Sequence, residues 1–550
     1  MFTDPFWCVG IDETIASPKD QLPDRIASVP GNHPTTALDF YVSVLEEFLG
    51  PNEPYTPASP SWVSRESLAE QNNPSGSRML EKSAPAFLPR VFYSDVFNDM
   101  DPADFTYLQS KHALTLPSAE LRNKILHGYI KWFHPLLPLL DLPKFMHQAV
   151  VGDDRNFPSP LLYQSVMFAG SAFLEIHDIR AAGYSSASEL RHALFQKAKL
   201  LYDFDTESDA LTETQALLLL TTWYAPESGK DPWYWLSLAL SAAHRAGLNY
   251  ESKSNIWTNY DKPLRRRVWW CLYIRDRMIA LGVRKSHQVR RSDYKIDEPQ
   301  VEDLKTTFES NTVTVINLVL GPCAALLKAE YWTELGNIYV RHVKLAHCIG
   351  AILDHIYQDS WALLDAPTEY FTLAPRRTIT MESVHRCKAA LMEWATGISL
   401  KPTFRTASYL NDSGAIDLDA TILFHHNFLC MTYRTSLLAL YGPIARAQMD
   451  SPGEVQPLRW LHNIAVDITM TLNDLRNSGL LSCLPGTAVT LVLFAAANHC
   501  HNSVSKDCDE TARSLSSGGA HFDFDLSVAK ETVTAFDSFE IWGAQVLLDD

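Results

Sequence analysis

Apolar residues in the body of this chain recur at three- and four-residue intervals, the spacing of one helix face, and alternating strand patterns are scarce from Asp104 onward. Leu121, Ile125, Tyr129, Trp132 and Phe133 define one such face, which should stop at His134-Pro135 because proline disfavours helical geometry in the residue before it. Thr212-Glu-Thr-Gln215 has the capping-box pattern, with the Thr212 hydroxyl accepting from the Gln215 N–H. It is expected to open a helix over Ala216–Tyr224, whose four consecutive leucines leave no wet face. Asp231 as N-cap, Pro232 at the first helical position and Gly247 just past the end bracket a helix of about four turns. Its bulky stripe is Trp233, Leu236, Leu240 and Ala243 and its flat stripe Ala239, Ala242 and Ala246, which predicts burial on two sides. Further amphipathic stretches are predicted near Asn317–Leu327, Ala329–Tyr357, Met381–Thr396, Ala420–Tyr441, Leu458–Arg476 and Thr487–Val504, with a last helix near Leu526–Leu547 after a Gly/Ser loop.

The first stretch reads differently. Residues 1–89 are rich in Pro, Ser, Asn and Asp and are expected to be mostly disordered, since segments such as Pro51-Asn-Glu-Pro-Tyr-Thr-Pro bury too little apolar surface to offset their ordering entropy. One island, Leu38, Tyr41, Val42, Leu45, Phe48 and Leu49, has helical spacing and predicts a short amphipathic helix near 38–49. The fold class is therefore all-α: a multi-helix body over 90–550 behind a largely disordered N-terminal segment. No fixed period repeats, which argues against a solenoid.

Composition narrows the function. Lys and Arg total 47 against 64 Asp and Glu, a formal charge of −17, which excludes a uniformly basic nucleic-acid binder. Nine scattered cysteines, none closer than Cys500 and Cys508, give neither a disulfide framework nor a metal knuckle and predict a reducing, intracellular compartment. The opening residues lack a basic start followed by an apolar run, and the longest apolar run, around Ala488–Ala497, is short of the roughly 20 residues a bilayer demands, so no membrane partner is expected. No Gly-x-Ser-x-Gly elbow, phosphate-cradling glycine loop or His-Glu-x-x-His helix occurs, and no catalytic centre is expected. His499-Cys500-His501 with Cys508 does not make a metal site, because adjacent helical residues point about a third of a turn apart, and His425-His426 meets the same objection.

Three segments in order are more specific. These are Gln215-Ala-Leu-Leu-Leu-Leu-Thr-Thr-Trp-Tyr-Ala-Pro, Asp231-Pro-Trp-Tyr-Trp-Leu-Ser-Leu-Ala-Leu-Ser-Ala-Ala-His-Arg-Ala-Gly-Leu, and Leu264-Arg-Arg-Arg-Val-Trp-Trp-Cys-Leu-Tyr-Ile-Arg-Asp-Arg. They are preceded by Asp104-Phe-Thr-Tyr-Leu, Ala113-Leu-Thr-Leu-Pro and Trp132-Phe-His-Pro-Leu-Leu-Pro-Leu-Leu-Asp. Together they resemble the middle homology region of fungal-specific binuclear-zinc-cluster transcription factors, in the branch typified by cutinase transcription factor 1 beta. The resemblance is strong over about 104–300 and looser over the C-terminal helices at 315–550.

The resemblance implies an all-helical regulatory domain of a nuclear transcription factor. It also implies a six-cysteine zinc cluster, yet only Cys8 precedes Cys271, so that module is missing from these residues and zinc is expected only if such a cluster lies upstream. No other cofactor is expected. The implied partners are other transcription factors or coregulators, a second copy or a heterodimer partner, DNA indirectly, and a small-molecule effector. Two functions remain open: a regulator acting at promoters through a partner, or an accessory protein that sequesters a full-length factor. The branch usually carries Pro at the position of Ser286, which implies only a different turn here.

Two constellations carry the functional readings. Trp223, Trp233, Trp235, Trp269 and Trp270, with Tyr224, either wedge helices together or wall an effector pocket whose polar groups would be Arg275, Asp276 and Arg277. Between Lys253 and Lys295 twelve Lys/Arg face three acids. Arg265, Arg266, Arg267, Arg284, Lys285, Arg290 and Arg291 then form either a basic contact surface or an internally paired set, with Arg265, Trp269 and Asp276 near one helix face.

Overall fold

The computed structural model describes residues 97, 99–151, 157–223, 230–251, 261–304, 310–320, 329–359, 373–396, 398, 418–448, 456–492 and 494–495. The predicted helices near 38–49 and Leu526–Leu547, Tyr224 and the His499–Cys508 group lie outside them. The described chain is all-α, in the order α1 (Pro102–Ser110), α2 (Ala119–Gly128), α3 (Leu142–Val151), α4 (Pro160–Gly170), α5 (Ile176–Ala181), α6 (Ala187–Asp203) and α7 (Ala210–Leu220). There follow α8 (Pro232–Arg245), α9 (Asp261–Val283), α10 (Ser310–Leu320), α11 (Ala329–Ile356), α12 (Met381–Ala395), α13 (Leu418–Gln448) and α14 (Gln456–Asn477). The described sheet is a single antiparallel ribbon, β1 (Tyr357–Asp359) on β2 (Leu373–Pro375), with Tyr357 opposite Pro375.

Local chemistry sets most helix starts. Asp101, Ser118, Ser159, Asp209, Asp231 and Thr380 each accept from a first-turn N–H, and Pro102, Pro160 and Pro232 occupy first positions where no donor is needed. The helix after Asp209 differs from the sequence expectation. Asp209, not Thr212, is its cap: the carboxylate accepts from Thr212 N at 3.0 Å and from the Thr212 hydroxyl at 2.6 Å. The helix thus begins at Ala210, and Gln215 falls on the buried side, where its amide donates to Leu139 O instead of folding back on the cap.

α8 keeps its predicted ends, with Gly247 at φ +65° just beyond it, a conformation glycine adopts without cost. Its two predicted stripes merge. Trp235, Leu236, Ala239, Ala242 and Ala243 form one buried arc against α7 and α9, while Trp233, Leu240 and Ala246 are half-buried at its margins. The helical run that α2 begins ends at His134 as expected, but the five residues after α2, Tyr129–Phe133, form a π turn closed by His134 N donating to Tyr129 O at 2.8 Å, and His134 itself keeps helical dihedrals, φ −56° and ψ −37°. The widened turn buries all five of its residues. α2 and α4 cross closely because Gly170 has no side chain: a Cβ there would lie 2.6 Å from Ile125 O. One continuous apolar core runs from Leu108 to Ala495, with α9 inside it against α7, α8 and α11.

Candidate functional site

α9 carries the predicted polar residues and is buried on nearly every side, so each charge on it must find a partner indoors. Arg275 is 1% exposed, and its guanidinium donates to the Thr221 hydroxyl at 2.8 Å and to Thr221 O at 2.7 Å. Thr221 is the C-cap of α7, where exposed carbonyls favour a cation. Asp276, 0% exposed, accepts from Gln288 N at 2.8 Å and Val289 N at 3.0 Å and is paired with Arg277. Burial pushes its carboxyl upward in pKa, opposed by Arg277 and those two N–H donors. Arg277 also donates to Val289 O at 2.8 Å and lies 4.2 Å from the Tyr273 ring centre.

The turn that Asp276 and Arg277 hold, residues 284–289, is tied on its other sides as well. Trp233 Nε1 donates to Ser286 O at 3.0 Å, and Gln288 returns a bond to Trp233 O at 2.9 Å. Lys285 pairs with Asp231 at 2.5 Å, and His287 meets Asp354 of α11 at 2.8 Å. Burial, helped by Arg277 and Arg290, lowers the His287 pKa to about 3, so the neutral ring donates to the Asp354 carboxylate. The turn therefore joins α8, α9 and α11.

The tryptophans fill space rather than surround it. Trp223 stacks on Phe195 at 4.8 Å, and Trp235 meets the same ring edge-on at 5.7 Å. Trp269 lies against Tyr294, and Trp270 against Tyr273, Tyr294 and His347, with Trp270 Nε1 donating to Asp297 O at 2.8 Å. Neither the cavity nor the cleft that follows is lined by them. A cavity of about 30 Å³ is lined by Arg275 alone of the predicted pocket residues, and a cleft of about 290 Å³ beside α2, lined by Lys124, His127, Glu175 and Asp178 among others, takes in none of them.

The predicted basic surface is also mostly interior. Arg265 is 9% exposed and reaches Ala246 O, and Arg267, 8% exposed, donates to Asp303 O at 2.9 Å and Leu140 O at 3.0 Å. Arg266 forks onto both Asp303 oxygens at 3.1 Å and onto Glu251 at 2.8 Å. Arg265 and Asp276 have separate partners, not each other: Ala246 for one and the 288–289 backbone for the other. Arg284 and Lys285 are half-buried, Arg284 at φ +49°, which leaves Arg290 and Arg291 as the exposed pair. The seven residues do not share one face because Arg265, Arg266 and Arg267 are consecutive on α9 and point around its axis, while Arg284, Lys285, Arg290 and Arg291 lie beyond its end.

A second polar region gave no signal in the sequence. His425 lies in α13 and bonds Lys131 O of the π turn at 2.8 Å, and Trp132 meets Phe424 edge-on at 5.0 Å. Burial lowers the pKa of His425 and His342 to about 4 and of His134 to about 3, so this seam is built from neutral imidazoles. His426 faces Cys430, not a shared ion with His425. Among the described residues no His, Cys, Asp or Glu cluster suits a metal, and Cys271, Cys348, Cys387 and Cys430 are buried free thiols. They do not fit a six-thiolate zinc cluster. No described helix is long and apolar enough to cross a membrane.

The described body is all-helical, with most of the charges on α9 turned inward, and comparison with known families supplies its class. Residues 126–395 match the family described as the fungal specific transcription factor domain. It is similar to cutinase transcription factor 1 beta of Fusarium vanettenii, 32% identical over 438 residues covering 77% of this chain and 49% of that protein. A transcription factor of Fusarium pseudograminearum is 30% identical over 82% of this chain and 51% of its own length. Transcription factor cpaR of Aspergillus oryzae is 29% identical over 71% and 65%. The chain thus spans about half the length of the first two relatives. No solved structure matches it.

Proposed function

We propose that the protein is a transcriptional regulator of the fungal-specific type and that residues 126–395 are its control module. The observation that carries this reading is the family match over the helices around α9, together with relatives whose names are those of transcription factors. The module works by holding or releasing macromolecular partners in the nucleus, other transcription factors or coregulators, and it reaches DNA through them. It performs no catalysis. Arg290 and Arg291, exposed just after the turn that joins α8, α9 and α11, are the basic groups of that set available to an acidic partner segment. An effector reading draws no support from the tryptophans, whose rings occupy one another.

Chromatin crosslinking of the tagged full chain in fungal nuclei, with transcript profiling after its deletion, tests the proposal. Recovery of promoter fragments and a coherent change in a set of transcripts are expected. Absence from chromatin with an unchanged transcript profile contradicts it, and absence with a changed profile would favour sequestration of another factor.

A further inference from the structure

The 30 Å³ cavity lies where α9, α11, α13 and the turn at 485–487 meet. Its walls are mostly apolar, with Phe133, Ile274, Met278 and Phe428 among them, and His342, Arg275, Thr222 and Thr487 are the polar residues that line it. His342 is 4% exposed, and its Nε2 has no hydrogen-bond partner among the described residues. A desolvated ring nitrogen left unbonded is strongly unfavourable, so a partner beyond the described residues is called for, and water is the smallest that fits the cavity. The Thr222 hydroxyl donates to Leu219 O at 2.8 Å, which leaves its lone pairs to accept. A water needs about 10–15 Å³ of such space and two to four polar neighbours, so this cavity has room for about two waters and for no larger ligand.

We propose that the cavity is a built hydration site, in which ordered water bonded to His342 Nε2 bridges to the Arg275 guanidinium and the Thr222 hydroxyl. The three bridged residues belong to α9, α11 and the turn after α7, all inside the part of the chain that matches the family, while Phe428 of α13 and Thr487 wall the cavity from beyond it. A water bridge suits such a junction because it satisfies polar groups on several elements without fixing their spacing as a direct bond does.

Two measurements on the full chain test this. A crystal structure at high resolution should show water density within hydrogen-bond distance of His342 Nε2; a well-ordered cavity without density, or one filled by another molecule, overturns the proposal. Thermal unfolding of His342→Leu and His342→Gln gives a readout of opposite sign for the two cases. With water bound, Leu strips the water of a partner and lowers Tm by about 2 °C, while Gln, which keeps a polar group, lowers it less. A rise in Tm for His342→Leu would mean that a dry, unbonded nitrogen had been removed, and would overturn the proposal.

Discussion

Two buried polar regions lie side by side in this molecule and solve the same problem differently. Along α9, charged groups are buried and each is held by fixed partners, Arg275 by Thr221, Arg267 by Asp303 O and Leu140 O, and Asp276 by two backbone N–H groups and Arg277. At the seam between the π turn, α11 and α13, the polar groups are histidines kept neutral by burial. Removing a partner breaks the first region; supplying protons breaks the second.

The largest effect is expected from acid. The folded-state pKa values of His342 and His425, about 4, and of His134, about 3, lie below the ordinary 6.5. The unfolded chain therefore binds more protons between those values, and the stability these groups contribute is complete above about pH 6.5 and lost as pH falls toward 4. Thermal melts at pH 7, 5 and 4 should show a steep fall in Tm that His342→Gln with His425→Gln makes shallower. A pH-independent Tm over that range would remove the distinction between the two regions.

Next comes Asp276→Ala, which leaves Arg277 buried without its carboxylate and the N–H groups of Gln288 and Val289 without their acceptor, and should cost about 3–5 kcal/mol in denaturant unfolding. Asp231→Ala removes the N-cap bond to Tyr234 N, 2.8 Å long, and should cost about 1 kcal/mol. The half-exposed pair with Lys285 adds little to that figure. Smallest of all, Arg290→Ala with Arg291→Ala should change stability by no more than about 0.5 kcal/mol, since both side chains are exposed. A large loss there would show that the 284–295 stretch is as structural as α9 itself.

What the sequence made legible follows the same division. Short-range chemistry was readable: Asp231, Pro232 and Gly247 bracket α8 because cap, first-turn proline and left-handed glycine act within a few residues. Even there, Thr212 lost its predicted role to Asp209, a stronger acceptor three positions earlier. The basic run between Lys253 and Lys295 was visible, but the choice between a contact surface and an internally paired set was not, because Arg267 finds Leu140 at a separation of 127 residues; the His425 contact with Lys131, at 294, was equally out of local reach. Six tryptophan and tyrosine rings close in sequence could wall a cavity or fill a core, and only the long-range partner Phe195 decides for Trp223 and Trp235. The π turn had no local signature, since its residues also suit an ordinary last helical turn.

The most direct test fuses the full chain to a heterologous DNA-binding module and measures transcripts from a reporter bearing that module's site in a fungal host. A change in reporter output that Asp276→Ala abolishes, and that the DNA-binding module alone does not give, is the predicted result. A folded fusion that occupies the reporter and leaves its transcription unchanged would contradict the account.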